Sequence, residues 1–324
     1  MIHAAALETI GQDLDTVERA LRGVSPATHP ELGLLIRGLV SAGGKRLRPA
    51  LVLLAARYNN YDLDRLVDGA VAVELLHTAT LVHDDVLDRA AVRRGHATVN
   101  AQLPDKAAVL VGDYIFAQSA IYAARPRDPE VIAVFAQTLA DICDGELRQM
   151  LGRRLPAFDR EEYYSRIYAK TGALLACATE IGAILSGASL AERALLRRYG
   201  EKLGQAFQIV DDVLDFSATT EQAGKPVGSD LRQGTVTLPT IIYVQSLSGG
   251  NGQSQVVMDV LAGMEGSDAE LAVSLIRDSG ALEIALDVAR SFAEQATVAL
   301  LELPSGEARS ALVDLAEYVL RRDR

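Results

Sequence analysis

The sequence predicts an all-α protein built as a single domain, and three features of the chain lead to that prediction. Apolar residues recur at spacings of three and four almost throughout the 324 residues, and no alternating strand pattern persists. Ala and Leu dominate, aromatic residues make up only 5% and Trp is absent, a composition that favours helices over sheets. Hydrophobic residues make up 49% of the chain, which is enough for a sizeable core. We therefore expect one helical domain over residues 1–324.

Breaks in the helical pattern divide the chain into roughly ten helices joined by short connections. All of the breaks are rich in Gly, Pro, Ser or Asp, and they fall at residues 23–30, 41–44, 100–106, 125–129, 152–159, 217–236, 247–254 and 303–306. Ser189 with Glu192, and Ser267 with Glu270, have the spacing of capping boxes and predict two helix starts. No low-complexity linker divides the series.

Charge and targeting signals limit the classes of partner. The formal net charge of −11 argues against a general nucleic-acid binder, so any anionic substrate needs a local cluster of cations or metal ions. Cys143 and Cys177 lie in apolar helical stretches, and we expect buried free thiols rather than a disulfide. The N-terminus lacks a signal peptide, and no uninterrupted apolar stretch reaches membrane-spanning length. We expect a soluble, cytoplasmic protein with no membrane span and no nucleic-acid partner.

One acidic pentad, Asp-Asp-Val-Leu-Asp, occurs twice, at 84–88 and 211–215, near the ends of helices predicted over 66–88 and 189–216. The first and last aspartates of each pentad are four residues apart and share a helix face. A solvated acidic face is the alternative for either copy alone. Both copies follow strongly apolar turns, however, and carboxylate oxygens suit Mg²⁺, which waters and substrate phosphates usually complete. The repeat predicts two facing carboxylate pairs that bind a diphosphate through bridging metal ions.

Basic residues near the pentads could bind the remaining phosphate oxygens, because the planar guanidinium of Arg and the compact ammonium of Lys both donate hydrogen bonds to phosphate. They are Lys45, Arg46 and Arg48 after a glycine turn, Arg93 and Arg94 beyond the first pentad, Lys170 within an apolar helix, and Lys225 in the loop after the second pentad. A surface cation is the alternative for each alone. His77 lies two turns before Asp84 on the same face, and we expect it to donate to a diphosphate. We interpret His83 and His96 as structural.

Taken together, these motifs resemble those of the trans-prenyl diphosphate synthases, most closely the long-chain polyprenyl diphosphate synthases. The matching segments are GGKRLRP, ELLHTATLVHDDVLDRAAVRRG, GDYIFAQS, GELRQ, YAKTGALL and FQIVDDVLDFSATTEQAGKPVGSDLRQGTVTLP. The resemblance extends from about residue 40 to the C-terminus. It implies a helical bundle of the isoprenoid synthase type around a deep central cavity, with one aspartate motif on each side of its mouth, usually as a homodimer. The implied reaction condenses isopentenyl diphosphate with an allylic diphosphate by metal-assisted ionisation, in isoprenoid biosynthesis.

The resemblance also implies a role for each motif residue. Three Mg²⁺ ions, for which Mn²⁺ can substitute, would be coordinated by Asp84, Asp88 and Asp211. Asp85, Asp212 and Asp215 would hold waters or orient those ligands. The other implied roles are allylic diphosphate binding by Arg93, Lys170 and Lys225, isopentenyl diphosphate binding by Lys45, Arg48, His77 and Arg94, and stabilisation of the allylic cation by Thr171 and Gln208.

Two positions depart from the family pattern. Thr235 stands where relatives usually carry lysine, so one phosphate contact would be absent or supplied by Arg232. Arg89 stands where many relatives have an acidic or small residue.

Product length should depend on the cavity wall before the first pentad. Ala79 and Thr80 are small, whereas an aromatic residue there blocks growth in relatives with short products. Because one isoprene unit spans about one helical turn, about 5 Å, an open wall along Leu76 and Thr80 admits further units. Phe135, on a neighbouring helix, is a candidate floor. The alternative is that the small residues merely allow close helix packing. We predict a long-chain product.

Three other functions stay open at this level. A shorter-chain synthase, making farnesyl or geranylgeranyl diphosphate, would share every motif. A terpene cyclase would share one acidic cluster, but the second pentad and the GGKRLRP segment disfavour it. A non-catalytic subunit of a heteromeric synthase typically loses the aspartates, and all six are present here.

Overall fold

A computed structural model describes residues 9–24, 30–41, 46–93, 95–151, 158–217, 227–247 and 252–321. These residues are almost entirely helical, and the predicted all-α class is confirmed. One two-residue antiparallel ladder, β1 (Val92–Arg93) with β2 (His96–Ala97), follows the first pentad. Contacts between Cα atoms group the chain into two compact units. The first is Met1–Leu139, Leu174–Gly200 and Thr297–Leu315, and the second is Ala140–Ala173, Glu201–Ala296 and Ala316–Arg324.

The helices begin and end close to the predicted breaks. Those before residue 152 are α1 (Gly11–Arg22), α2 (Pro30–Ser41), α3 (Leu47–Ala56), α4 (Leu63–Leu87), α5 (Val99–Gln102), α6 (Asp105–Ala124) and α7 (Pro129–Leu151). The next are α8 (Arg160–Ile167), a π-helical turn (Tyr168–Gly172), α9 (Ala173–Leu185), α10 (Leu190–Ser217) and the short α11 (Ser229–Arg232). The last are α12 (Leu238–Ser246), α13 (Gly252–Leu261), α14 (Ala269–Arg277), α15 (Ala281–Ala299), a 3₁₀ turn (Leu300–Glu302) and α16 (Glu307–Leu320).

The boundaries between the two units all fall inside helices, which explains why the sequence contains no linker. The prediction of a single domain stays a prediction. The described chain has more helices than the ten expected, because several predicted helices are split by short turns.

One predicted capping box is confirmed and the other is displaced by a residue. The backbone N–H of Ser189 donates to Glu192 Oε2 at 2.7 Å, and the N–H of Glu192 donates to Ser189 Oγ at 3.3 Å. At the start of α14 the cap is Asp268, whose Oδ1 accepts from the N–H of Leu271 at 2.9 Å. The prediction of Ser267 as the cap was therefore wrong, because the neighbouring carboxylate takes that position.

The long helix α4, which carries the first pentad, is the centre of the first unit. Its residues from Gly69 to Leu76 are all buried, and α4 packs most extensively against α6. Gly112 leaves room for the ring of His83 beside α6, because a Cβ atom there would lie 2.3 Å from His83 Nε2. The Nε2 atom of His83, a residue expected to be structural, also lies 3.4 Å from Asp113 Oδ1 on α6. The glycine of the GDYIFAQS segment therefore accommodates the His83 ring.

Three described helical stretches are long and apolar enough to cross a membrane, judged by length and composition alone: Leu63–Leu87, Asp105–Ala124 and Arg160–Leu185. In the first and third, 72% and 78% of the apolar window is buried inside the protein, against 39% in Asp105–Ala124. The expected absence of a membrane span stays a prediction.

The two cysteines are free but differ in burial. Cys177 is fully buried, as expected, whereas Cys143 is exposed, so its predicted burial was wrong. Helix α7, which carries Cys143, has one buried and one exposed face, and Cys143 lies on the exposed face.

Candidate active site

The first pentad ends helix α4, and the end of the helix determines how its carboxylates are presented. The helical bond from the N–H of Asp88 to the carbonyl of Asp84 is 2.8 Å long, and the chain then turns at Arg89, whose φ is +52°. Asp84 is half-buried and Asp88 is exposed, so solvent reaches both side chains. The exposed Arg89 serves as the left-handed residue that stops the helix, a position that Asn or Gly fills more easily.

The second aspartate of this pentad points into the protein. Asp85 is buried, and its Oδ1 accepts a hydrogen bond from Arg93 Nε at 2.7 Å. Burial raises the pKa of Asp85, and the guanidinium of Arg93 opposes that increase. The pair joins β1 to the end of α4. Arg93, which is half-buried, is thereby held beside the first pentad, and its role in binding the allylic diphosphate stays a prediction.

The structure describes only some of the other residues predicted to bind the diphosphates. Arg48 lies in the first turn of α3 and His77 in the middle of α4, and both are half-buried. Lys45 and Arg94 in this unit, and Lys225 in the second, lie outside the described residues.

The second pentad, in the last two turns of α10, repeats the burial of the first at its first two aspartates and differs from it at the last. Asp211 is half-buried, whereas Asp212 and Asp215 are buried. Asp215 Oδ2 accepts from the backbone N–H of Asp230 at 3.0 Å, and its carbonyl accepts from the N–H of Gly228 at 2.8 Å. Asp215 therefore anchors the start of α11 to the end of α10. This anchoring is consistent with its expected supporting role.

Asp212 is the centre of a hydrogen-bond network within the second unit. The hydroxyl of Tyr163 donates to Asp212 Oδ2 at 2.6 Å, and Gln208 Nε2 donates to Asp212 Oδ1 at 2.8 Å. The hydroxyl of Thr171 donates to Gln208 Oε1 at 2.7 Å. The structure therefore brings together Thr171 and Gln208, which the resemblance paired. Tyr163 was not predicted, since nothing in its local sequence marks it as the partner of a distant aspartate.

The environment of Asp212 favours its neutral form. Burial raises the pKa of Asp212 to about 7, and the nearby charge of Asp230 adds to the increase. The hydrogen bonds from Tyr163 and Gln208, and the charge of Lys170, act in the opposite direction. A cation near this carboxylate would lower the pKa of Asp212 further. Asp230 is a second residue that the sequence did not point to.

A π-helical turn places Lys170 and Thr171. The turn, Tyr168–Gly172, interrupts the long helical stretch and leaves Lys170 exposed while Thr171 is buried. Such single turns are frequent at functional sites. Gly204 of α10 lies against this turn, since a Cβ atom there would be 2.6 Å from Gly172 Cα. The absence of side chains at this crossing lets Thr171 reach Gln208.

The residues proposed for the cavity wall lie on α4 and α7. Leu76 and Ala79 are buried, and Thr80 is half-buried with its hydroxyl bonded to the carbonyl of His77 at 2.8 Å. Phe135 on α7 is buried and stacks on Phe116 of α6, with ring centroids 6.4 Å apart. Phe116 was not predicted. Its position in GDYIFAQS is the only sequence signal for it.

Thr235, which departs from the family pattern, and Arg232, its suggested substitute, both have local partners. The N–H of Thr235 donates to the carbonyl of Asp230 at 2.8 Å. Arg232, the suggested substitute for the absent lysine, binds the carbonyl of Val227 and the carboxylate of Glu270. Arg232 is therefore already used to join α11 to α14.

A magnesium site fits the donor atoms of the pentads. Among the described residues no group of three His, Cys, Asp or Glu side chains is close enough to hold a metal ion by itself. Mg²⁺ binds through one or two carboxylates completed by waters and phosphates, so a pair such as Asp84 and Asp88 suits it without a third protein ligand. The position of these two relative to Asp211 across one cavity stays a prediction.

Comparison with known proteins identifies the family. The family model described as polyprenyl synthetase matches residues 29–276. Heptaprenyl diphosphate synthase component 2 of Geobacillus stearothermophilus is 40% identical over 319 residues, 97% of each chain. Octaprenyl diphosphate synthase of Escherichia coli (strain K12) is 36% identical over 324 residues, 100% of this chain and 95% of that one.

Among solved structures, a polyprenyl synthase from Caulobacter crescentus CB15 complexed with calcium and isoprenyl diphosphate is 33% identical, with a TM-score of 0.90, over 99% of this chain and 98% of that chain. The prediction of a prenyl diphosphate synthase, made from the two pentads and the segments around them, is confirmed. The chain belongs to the polyprenyl synthetase family.

Proposed function

We propose that the chain is a trans-prenyltransferase that condenses isopentenyl diphosphate with an allylic diphosphate and releases a long-chain polyprenyl diphosphate. The observation that carries the proposal is the same arrangement in both pentads. In each, the first aspartate (Asp84 or Asp211) is half-buried, and the second (Asp85 or Asp212) is buried and held by hydrogen bonds from its own partners. Two such carboxylate sets are what a metal-bound diphosphate requires.

The metal ligands would be Asp84, Asp88 and Asp211, with Mg²⁺ as the metal. Bound there, Mg²⁺ would supply positive charge that stabilises the departing diphosphate. Asp85 and Asp212 orient the helix ends that present these ligands, because each is fixed by a donor from another element. Three ions per site, and Mn²⁺ as a substitute, belong to the same proposal.

The cations of the chain bind the diphosphates and orient them. Arg93 and Lys170, with Lys225, would bind the allylic diphosphate, and Arg48 and His77, with Lys45 and Arg94, the isopentenyl diphosphate. Preorganised donors of this kind stabilise the charge that develops as the allylic C–O bond breaks. No covalent bond to the protein is needed.

The oxygens of Thr171 and Gln208 would stabilise the allylic cation. They lie in one hydrogen-bonded chain with Asp212, which fixes their orientation before the substrate arrives. The carbon–carbon bond then forms by attack of the double bond of isopentenyl diphosphate. The proton lost from the product goes to the released diphosphate, and the apolar wall around Leu76 keeps water away from the cation.

We expect this enzyme to act as a homodimer in the cytoplasm. Helix α6 supports the expectation of a homodimer, because three of its apolar side chains are exposed: Val109, Leu110 and Ile121. Leu110 is 66% exposed. Exposed apolar residues on one helix favour docking to another protein surface. A heteromer is the second candidate, favoured by the similarity to a relative named as component 2 of its synthase.

Incorporation of radiolabelled isopentenyl diphosphate into farnesyl diphosphate by the isolated chain, with Mg²⁺ present, tests the proposal. We expect long-chain alcohols on chromatography of the dephosphorylated product. Hydrocarbon released from farnesyl diphosphate alone would favour a terpene cyclase. A labelled product of four isoprene units would favour the geranylgeranyl alternative, and incorporation only when a shorter allylic diphosphate replaces farnesyl diphosphate would favour the farnesyl alternative. Failure of the isolated chain to incorporate label with either primer would favour the non-catalytic subunit.

A further inference from the structure

Arg46 is the one cation of the GGKRLRP segment that has no assigned contact with a substrate, and most of its side chain is buried. Its guanidinium makes three hydrogen bonds. Nε donates to Glu18 Oε2 at 2.8 Å, Nη1 to Glu74 Oε1 at 2.8 Å, and Nη2 to the carbonyl of Val40 at 2.7 Å. Only 14% of the Arg46 side chain is exposed, and only 5% of Glu74. Arg46 therefore joins α1, the end of α2 and the middle of α4.

The backbone of Arg46 adopts a conformation that a side chain disfavours. Its φ is +50°, in the left-handed region, and it is the residue that starts α3. The carbonyl of Arg46 accepts the first helical hydrogen bond, from the N–H of Ala50 at 3.0 Å. Such a conformation persists only where surrounding contacts hold it. The three hydrogen bonds of the guanidinium hold the backbone of Arg46 in this conformation, two residues before Arg48.

The position of Glu74 links this contact to the substrate site. Glu74 lies three residues, close to one helical turn, before His77 on α4, and side chains at that spacing share a face. The ion pair therefore fixes the start of α3, which carries Arg48, to the turn of α4 that carries His77. Glu18 provides a second fixed point on α1.

We propose that Arg46 is a positioning residue that holds Arg48 and His77 in register as one binding site for isopentenyl diphosphate. This inference rests on the proposed function, which assigns those two residues to that substrate. Arg46 touches no substrate. Its loss lets α3 and α4 move independently, so the two halves of the site no longer bind one diphosphate together.

Calorimetric titration of the full chain with isopentenyl diphosphate and Mg²⁺, without allylic substrate, measures this binding in the absence of turnover. We expect Arg46→Gln to weaken the affinity about tenfold to a hundredfold, the size of effect that a misplacement of about 1 Å produces. Arg46→Lys keeps the positive charge but lacks the planar guanidinium and its several N–H donors, so it should recover only part of the affinity for isopentenyl diphosphate. Binding of farnesyl diphosphate should change less than twofold in both variants.

Arg22→Gln is the matched control. Arg22 binds the same Glu18, at 3.3 Å, but its side chain is 66% exposed, against 14% for Arg46. Its replacement should leave the affinity for isopentenyl diphosphate unchanged. The combination of Arg46→Gln with Glu74→Gln gives the second test. If Arg46 acts through Glu74, the affinity of the double variant for isopentenyl diphosphate should be only slightly below that of whichever single variant binds it less tightly.

Each outcome has one meaning. Unchanged affinity in Arg46→Gln overturns the inference, as does an equal loss of affinity for both substrates, which a general loss of structure would produce. If Arg46→Gln does not fold, Arg46→Lys and Glu74→Gln decide, and unchanged affinity in both overturns the inference. If the wild-type chain itself binds no isopentenyl diphosphate, the proposed function fails instead.

Discussion

The hydroxyl of Tyr163 donates a 2.6 Å hydrogen bond to Asp212, joining α8 to the second pentad inside the second unit. Both side chains are buried, and burial raises the pKa of each. A neutral phenol that donates to a carboxylate is the arrangement in which both groups are satisfied without water. The contact orients Asp212 and, through Gln208, the hydroxyl of Thr171.

Replacement of Tyr163 by Phe removes only the hydroxyl. We expect the free energy of unfolding to fall by about 1–2 kcal/mol, because Asp212 loses a buried donor. We expect activity to fall about tenfold to a hundredfold, as is usual when the partner of a metal-site carboxylate is lost. Chemical denaturation and the rate of label incorporation measure the two effects. Tyr164→Phe is the control, since Tyr164 is only half-buried and the variant keeps the ring that contacts Tyr163 and Phe292. Equal activities in the two variants would refute the role of Tyr163.

Replacement of Thr171 by Val keeps the shape of the side chain and removes the donor to Gln208. We expect kcat to fall about tenfold, because Gln208 is then free to turn away from the allylic cation. The KM for isopentenyl diphosphate should not change. Steady-state kinetics with each substrate varied in turn gives both numbers. Thr179→Val, a buried threonine whose hydroxyl only bonds to its own helix, is the matched control. A kcat equal to that of the control would argue against the network.

Removal of the metal tests the carboxylates directly. Dialysis against a chelator should abolish incorporation, and added Mg²⁺ should restore it, because the pentads supply the oxygen donors that this ion prefers. Asp84→Asn should lower activity at least about 100-fold and shift the Mg²⁺ titration to higher concentration. Asp68→Asn on the same helix, where Asp68 pairs with Arg125, should behave like the wild-type chain. A normal Mg²⁺ titration of Asp84→Asn would exclude Asp84 as a metal ligand.

Product length should respond to bulk on α4. Ala79→Phe and Thr80→Phe should shorten the product, because an aromatic ring would close the wall beside Leu76. The buried position of Ala79 adds a packing cost of about 1–3 kcal/mol to its variant, whereas the half-buried Thr80 avoids most of it. Chromatography of the dephosphorylated product measures length, and Thr78→Val on the same helix is the control. Unchanged length in Thr80→Phe would leave close packing as the role of these small residues.

The two thiols should differ in reactivity. Burial raises the pKa of Cys177 to about 12, so at pH 8 only about one molecule in 10,000 carries a thiolate there. Cys143 is exposed. A disulfide reagent should therefore modify one thiol in the native protein and two in denaturant, and none in native Cys143→Ser. Rapid modification of two native thiols would contradict the burial of Cys177.

The sequence by itself determined what depends on local chemistry. Helix periodicity and caps predicted the all-α class, and α4 begins at Leu63, within one turn of the predicted residue 66. The repeated pentad predicted the site because the spacing of its carboxylates is fixed by the helix alone. The glycines and cations around it completed the resemblance to the family.

The tertiary structure alone decided which buried polar groups meet. Tyr163 and Asp212 are 49 residues apart, and Arg46 and Glu74 are 28 apart, so no periodicity links either pair. Their contacts follow from packing, because a buried charge must find a partner wherever the fold places one. The exposure of Cys143 was decided in the same way, by which face of α7 the neighbouring elements cover.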